Sequence, residues 1–229
     1  LHLVELPRWV TARALAWHPS GRTVAGLAHA EPLALMRLGA PTLSPDRLQL
    51  SRLAVFAQWA DEAALERFLR EDALGRHLAK GWHVRLEFLR RWSTLAALPG
   101  LPVRAGDWDR EEPVVAVTVA RMRMREVPRF LHWGKPVERL VRDHPGTTLA
   151  LAGFRPARTI ATFSVWRTVR EMEEMVHGGS SVLQPERHAA AMTERDRRDF
   201  HHEFATFRFR PISEHGAWEG RTCIVPRAR

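Results

Sequence analysis

Apolar residues run from Val114 to Ala120, interrupted only by Thr118, and then alternate with arginines. Arg121, Arg123 and Arg125 fall on one face of an extended chain and Met122 and Met124 on the other, which predicts a strand over 114–125. Segments 52–59 and 159–166 each read as a short strand that ends in tryptophan and leads into a stretch with helical period. In the first, Leu65, Phe68 and Leu69 share one helix face; in the second, Trp166, Val169, Met172 and Val176 recur at spacings of three or four. Further strands are predicted at 82–88 and 204–210, each followed by a polar turn with glycine, at Gly100 and Gly216. A weaker apolar run, 23–28, is expected to open the first set of elements as 114–125 opens the second.

The two sets are related by a shift of 107 residues, which holds without gaps through the strand and its helix. It carries Leu53 onto Ile160, Phe56 onto Phe163, Trp59 onto Trp166 and Glu66 onto Glu173. Each half then has the order strand, helix, strand, strand, helix, strand. Helices on one face of an antiparallel sheet make an α+β unit of ferredoxin-like type. Two such units in one chain can bury their open sheet faces against each other. The predicted fold is therefore a tandem ferredoxin-like repeat that forms an intramolecular dimeric α+β barrel. The halves are expected at 1–105 and 106–229, joined through the Pro- and Gly-rich stretch 98–107.

Composition narrows the chemistry. The chain has 229 residues and a formal charge of +9, carried almost wholly by arginine, since Lys80 and Lys135 are its only lysines. Arginines and acids alternate, as in 194–199, which reads as a solvated surface rather than a nucleic-acid site. Tyrosine is absent, which excludes tyrosyl radicals and tyrosinate ligands. The single Cys223 excludes an internal disulfide and a four-cysteine zinc site. No apolar run approaches the ~18 residues of a membrane span, and segment 1–7 lacks the layout of a signal peptide. A cytoplasmic protein without a transmembrane span is expected, and self-association into a homo-oligomer is left open.

One further set of residues resembles a known family. Thr162-Phe163-Ser164-Val165-Trp166, the helix from Met172 to His177, His188 on a second helix, segment 203–211 and segment 216–220 together look like the spheroidene monooxygenase family. The resemblance is strongest over 145–221 and looser over 53–92. It implies a ferredoxin-like α+β barrel and a heme-dependent oxygenation of an apolar, natural-product-like small molecule.

The candidate iron ligand is His188. Pro185 and Glu186 suit the first turn of a helix, and His188, Ala191 and Met192 then fall on one face, small and apolar enough for a porphyrin to lie against. An iron-bound imidazole needs its other ring nitrogen held, and heme propionates favour arginine. On this reading His188, Met192, Trp166 and Phe204 hold the heme, and Arg208 polarises bound oxygen or peroxide. The residues alone leave a half-exposed helix histidine as the alternative. They also leave open whether the arginines that alternate on strands, Arg121 and Arg208 among them, point into the barrel or out to solvent. His201, His202 and Glu203, as neighbours on an extended chain, cannot jointly face one metal. A second function class fits the same pattern: a cofactor-free small-ligand-binding or scaffold protein of the same fold.

Overall fold

The computed structural model describes residues 1–41, 44–98, 100–156, 159–177 and 186–227, with side chains from 189 onward in the last segment. Pro99, in the expected junction, lies outside the described residues. The first unit runs β1 (His2–Glu5), α1 (Arg8–Ala16), β2 (Leu27–Met36), β3 (Leu48–Trp59), α2 (Glu62–Glu71), α3 (Ala73–Leu78) and β4 (Trp82–Trp92). The second runs β5 (Val114–Met122), α4 (Val127–Asp143), β6 (Thr147–Arg155), β7 (Thr159–Trp166), α5 (Val169–His177), α6 (Glu186–Arg197) and β8 (His201–His215). The eight strands close into one antiparallel barrel in the order β1-β3-β2-β6-β7-β5-β8-β4.

The repeat sets local structure as well as order. Asp61 caps α2 by accepting the Ala64 amide at 2.7 Å, and Thr168, 107 positions later, caps α5 by accepting the Glu171 amide at 3.1 Å. Along the strands, alternate residues go to the barrel interior and to the helices outside. Inside, Phe56 stands 6.3 Å from its repeat partner Phe163 and 5.7 Å from Phe209, over Val115, Val117 and Val119. Outside, Leu53 and Val55 pack on Leu65, Phe68 and Leu69 in the first half, and Trp166 packs on Val169, Met172 and Met175 in the second.

Face-to-face burial is only part of what joins the halves. Their sheets also meet edge to edge, β2 with β6 (Ala34 opposite Phe154) and β4 with β8 (from His83 opposite His215 to Trp92 opposite Thr206). Closure leaves no edge strand among the described residues to attract another chain. At the first seam a Cβ on Gly153 would lie 2.8 Å from the Leu33 Cβ, so the close approach requires glycine.

Two expectations are corrected. The opening strand of the first unit is His2–Glu5, too short at four residues to show an alternation, while 23–26 form the turn before β2. The strand expected over 114–125 ends at Met122; Met124–Glu126 form a 3₁₀ turn that leads into α4, whose second residue is Pro128.

Candidate functional site

At one end of the barrel the inward-facing residues change from apolar to polar. On β5 the series Val115, Val117, Val119 continues to Arg121; on β2, Leu35 and Leu33 are followed by Glu31; on β7, Val165, Phe163 and Ala161 by Thr159; on β8, Phe209, Phe207 and Ala205 by Glu203. Arg155 joins them from the end of β6. Glu31, fully buried, is the centre of the cluster. Its Oε2 accepts from Arg121 at 2.6 Å, its Oε1 forms an ion pair with Arg155 at 2.9 Å, and His29 stands at 3.7 Å. Arg121 also donates to Thr159 and lies 4.0 Å from Glu203. Burial alone would raise the Glu31 pKa, but the nearby His29, the hydrogen bond from Arg121 and the charges of both arginines outweigh it and hold the pKa at about 2. The group is an ionised carboxylate clamped between two guanidiniums.

Arg121 and Arg155 form the inner wall of an open cleft of about 870 Å³. Its rim carries Arg123 and Arg125 from the turn after β5, with Met122, Met124, His202, Glu126 and Glu203. At the wall, Glu31 and Glu203 balance Arg121 and Arg155. The excess positive charge is at the rim. There Glu126 is already paired with Arg129 at 2.5 Å and with Arg198, Arg123 uses its Nε on the His201 carbonyl at 2.8 Å, and Arg125 is exposed with no ion pair among the described residues. Met124, 58 % exposed, adds an apolar surface beside these cations. The arrangement can hold an anionic group against Arg123 and Arg125 and an apolar body against the methionines, with the His202 imidazole exposed in the same cleft for proton transfer.

The structure distributes the sequence-predicted site residues otherwise. Arg208 lies on the outer face of β8, nearly buried, 3.0 Å from Glu173 and stacked between Trp92 and Trp108 at 4.5 and 5.6 Å. Burial pushes its guanidinium pKa down, against the opposing effect of Glu173. Trp166 is fully buried, its Nε1 donating to the Ser164 hydroxyl at 2.8 Å. Phe204 is covered by the Arg195 guanidinium at 4.1 Å and flanked by the His201 ring at 5.0 Å. Trp166 pairs with Val114 and Phe204 with Ala120, so six residues of β5, about 20 Å, separate them. The two are not brought together. Met192 is half-buried on α6; His188 is in the first turn of the same helix, and its side chain lies outside the described residues.

The two readings of the strand arginines are both realised: Arg121 points into the barrel, while Arg208 and Arg210 lie on its outer face, Arg210 paired with Glu87 at 2.8 Å. His201 is buried against Asp199 at 2.9 Å while His202 is exposed in the cleft, so these neighbours do part, as their spacing predicts. Glu31, Arg155, His29 and Thr159 escaped sequence reasoning. The available signal was a single acid, Glu31, inside the otherwise apolar run that became β2. Among the described residues no group of three or more His, Cys, Asp or Glu is placed to hold a metal ion, and no helix is long and apolar enough to cross a membrane.

No protein-family model and no curated protein matches the chain. Among solved structures it is similar to a "putative monooxygenase" from Fusobacterium nucleatum, with 9% identity, 94% of this chain and 92% of the other covered, and a TM-score of 0.41. It is similar also to one so described from Lactobacillus acidophilus, with 8% identity, 93% of each chain and a TM-score of 0.39. A third is an anthrone oxidase-like protein, with 15% identity, 96% and 93% covered and a TM-score of 0.36.

Proposed function

We propose that the protein is an enzyme of the monooxygenase type that takes an anionic, partly apolar small molecule into the cleft at the open end of the barrel. The observation that carries this reading is the ionised, fully buried Glu31, which fixes Arg121 and Arg155 as the wall of a cleft whose rim cations face solvent. A carboxylate, phosphate or phenolate group would sit on Arg123 and Arg125, the apolar body on Met122 and Met124, and His202 would take or return a proton. Oxygenation is the reaction class that the resemblance to the spheroidene monooxygenase family implies; the anionic substrate is what the charge at the cleft favours. The test is calorimetric titration of the full chain with a set of aromatic carboxylates and aryl phosphates. The strongest binder should lose at least about tenfold in affinity, one charge-assisted contact, in Arg123→Gln/Arg125→Gln. Unchanged affinity in that variant would remove the cleft from the account.

A second reading is the heme-dependent oxygenase with His188 as iron ligand. What supports it is the resemblance, together with a helix, α6, that begins at Glu186 and carries positions 188, 191 and 192 at spacings of three and four. Heme bound there would supply the redox chemistry, and Met192 an apolar contact. An absorption spectrum with added hemin tests it: a Soret band lost in His188→Ala supports this reading, and a spectrum of free hemin refutes it.

A further inference from the structure

We propose that the outer face of α1 docks on an anionic lipid surface. The helix buries Thr11 and Ala14 against the barrel. Its other side presents Arg8, Trp9, Ala12, Arg13 and Ala16 to solvent, and Trp17 follows directly. Trp9 and Trp17 are 68 % and 79 % exposed, more than any other large apolar side chain described. Eight residues apart, they stand about 12 Å from each other along the helix axis and roughly 80° apart around it. No acid occurs in the sequence between Glu5 and Glu31, whereas Arg8, Arg13 and Arg22 are all exposed. Glu5, just ahead of the helix, is paired with Arg52 at 2.8 Å, and neither Arg8 nor Arg13 forms an ion pair among the described residues.

Charge and shape select the occupant. A second copy of the chain meeting this face across a two-fold axis would bring Arg8 and Arg13 against their own kind. A single-stranded nucleic acid needs a groove that tracks its backbone, and a convex helix offers none. An anionic bilayer surface satisfies both features. Indoles are stable at headgroup depth, with the ring in the acyl boundary and the N–H in water. Arginines beside them are drawn to the negative surface potential. The C-terminal end of α1 leads to His18, whose Nδ1 is 3.5 Å from Arg155. The docked face therefore adjoins the open end of the barrel. That an apolar ligand would pass from the lipid to the cleft rests on the function proposed above; the docking itself does not.

The test is sedimentation of the full chain with phosphatidylcholine vesicles, with and without roughly one part in three of phosphatidylserine. Four proteins are compared: the native chain, Trp9→Ala/Trp17→Ala, Arg8→Gln/Arg13→Gln, and Arg67→Gln/Arg70→Gln on α2, whose arginines are exposed and whose net charge changes equally. The native chain and the α2 variant should bind the anionic vesicles alike and the neutral vesicles weakly. Loss of the two α1 arginines should weaken binding about 30-fold, and loss of the two tryptophans should remove the blue shift of tryptophan emission along with binding. All four should melt alike, since the altered side chains are exposed. Native binding that is no stronger to anionic than to neutral vesicles would overturn the proposal, as would an equal loss in the α2 variant. Vesicle binding that is absent, while a single-stranded oligonucleotide is bound and then lost in Trp9→Ala/Trp17→Ala, would reassign the face to nucleic acid.

Discussion

The two ends of the barrel are made by the same repeated strands, and only one of them is finished with buried charge. At one end the chain after β8 turns back: Trp218 and Ile224 enter the interior cluster, and Glu214 holds the turn by accepting from Trp82 Nε1 at 2.6 Å and from the Ile224 and Val225 amides at 2.8 and 3.1 Å. At the other end the chain after β4 also turns in, Leu95 and Leu98 joining the interior cluster and the Ala96 amide donating to Glu203 at 3.3 Å, but beside them the interior terminates in the charged and polar Glu31, Arg121, Arg155 and Thr159. The difference teaches where function is to be sought in a duplicated fold. Apolar alternation makes the barrel, and on the function proposed above the positions where it is broken by a buried charge mark the end that meets a ligand.

The largest effect should come from undoing the pairing of halves altogether. A fragment of residues 1–105 would expose β2 and β4 as open edges and Leu33, Leu35, Ala54 and Phe56 as a wet apolar face. It should aggregate or self-associate on size-exclusion chromatography; a monomer that melts cooperatively like the full chain would contradict closure by both seams. Next come single substitutions at the two ends. Glu31→Gln leaves two guanidiniums without their carboxylate and should cost about 3–5 kcal/mol. Trp218→Ala empties a core position and should cost about the same. Denaturant unfolding measures both, and ligand titration separates them: only Glu31→Gln should also weaken binding at the cleft.

The pH dependence distinguishes the ends again. Outside the barrel near its plugged end, His2, His83 and His215 stack across β1, β4 and β8 with ring centroids 4.7 Å apart. Burial first, and then the charge of His215, lower the His83 pKa from 6.5 to about 4. Its folded pKa is below its unfolded one, so the stability it contributes is complete above 6.5 and declines as pH falls towards 4. The Glu31 pKa is lowered from 4.5 to about 2, so its contribution is complete above 4.5 and declines as pH falls towards 2. Melting temperature against pH should therefore fall in two windows. His83→Asn should flatten the upper one and Glu31→Gln the lower; a single window unaffected by either variant would contradict the assignment. The smallest effect belongs to the rim. Arg125→Ala, at an exposed position without an ion pair among the described residues, should change stability by less than about 0.5 kcal/mol while weakening ligand binding.

The fold was legible because its signals are periodic. Phe56 and Phe163, read as repeat partners, meet in the barrel, and the strand–helix units around Trp59 and Trp166 fall in equivalent places. The short β1 was not legible, because four residues carry no alternation. The site was mostly illegible, because it is assembled from the ends of β2, β5, β6, β7 and β8, which lie far apart in sequence. Strand period fixes that Arg121 and Arg208 each face one side of a sheet but not which side, and the two proved opposite. Trp166 and Phe204 were both expected at the heme; strand register puts them at opposite ends of β5.

The central claim is that the open end of the barrel is the ligand site. Hydrogen–deuterium exchange of the full chain, with and without the strongest binder among the aromatic carboxylates and aryl phosphates, tests it most directly. The account predicts slower exchange at the end of β5, the turn Met124–Glu126 and the start of β8, with α5 and α6 unchanged. Protection confined to α5 and α6, with the end of β5 unaffected, would contradict it.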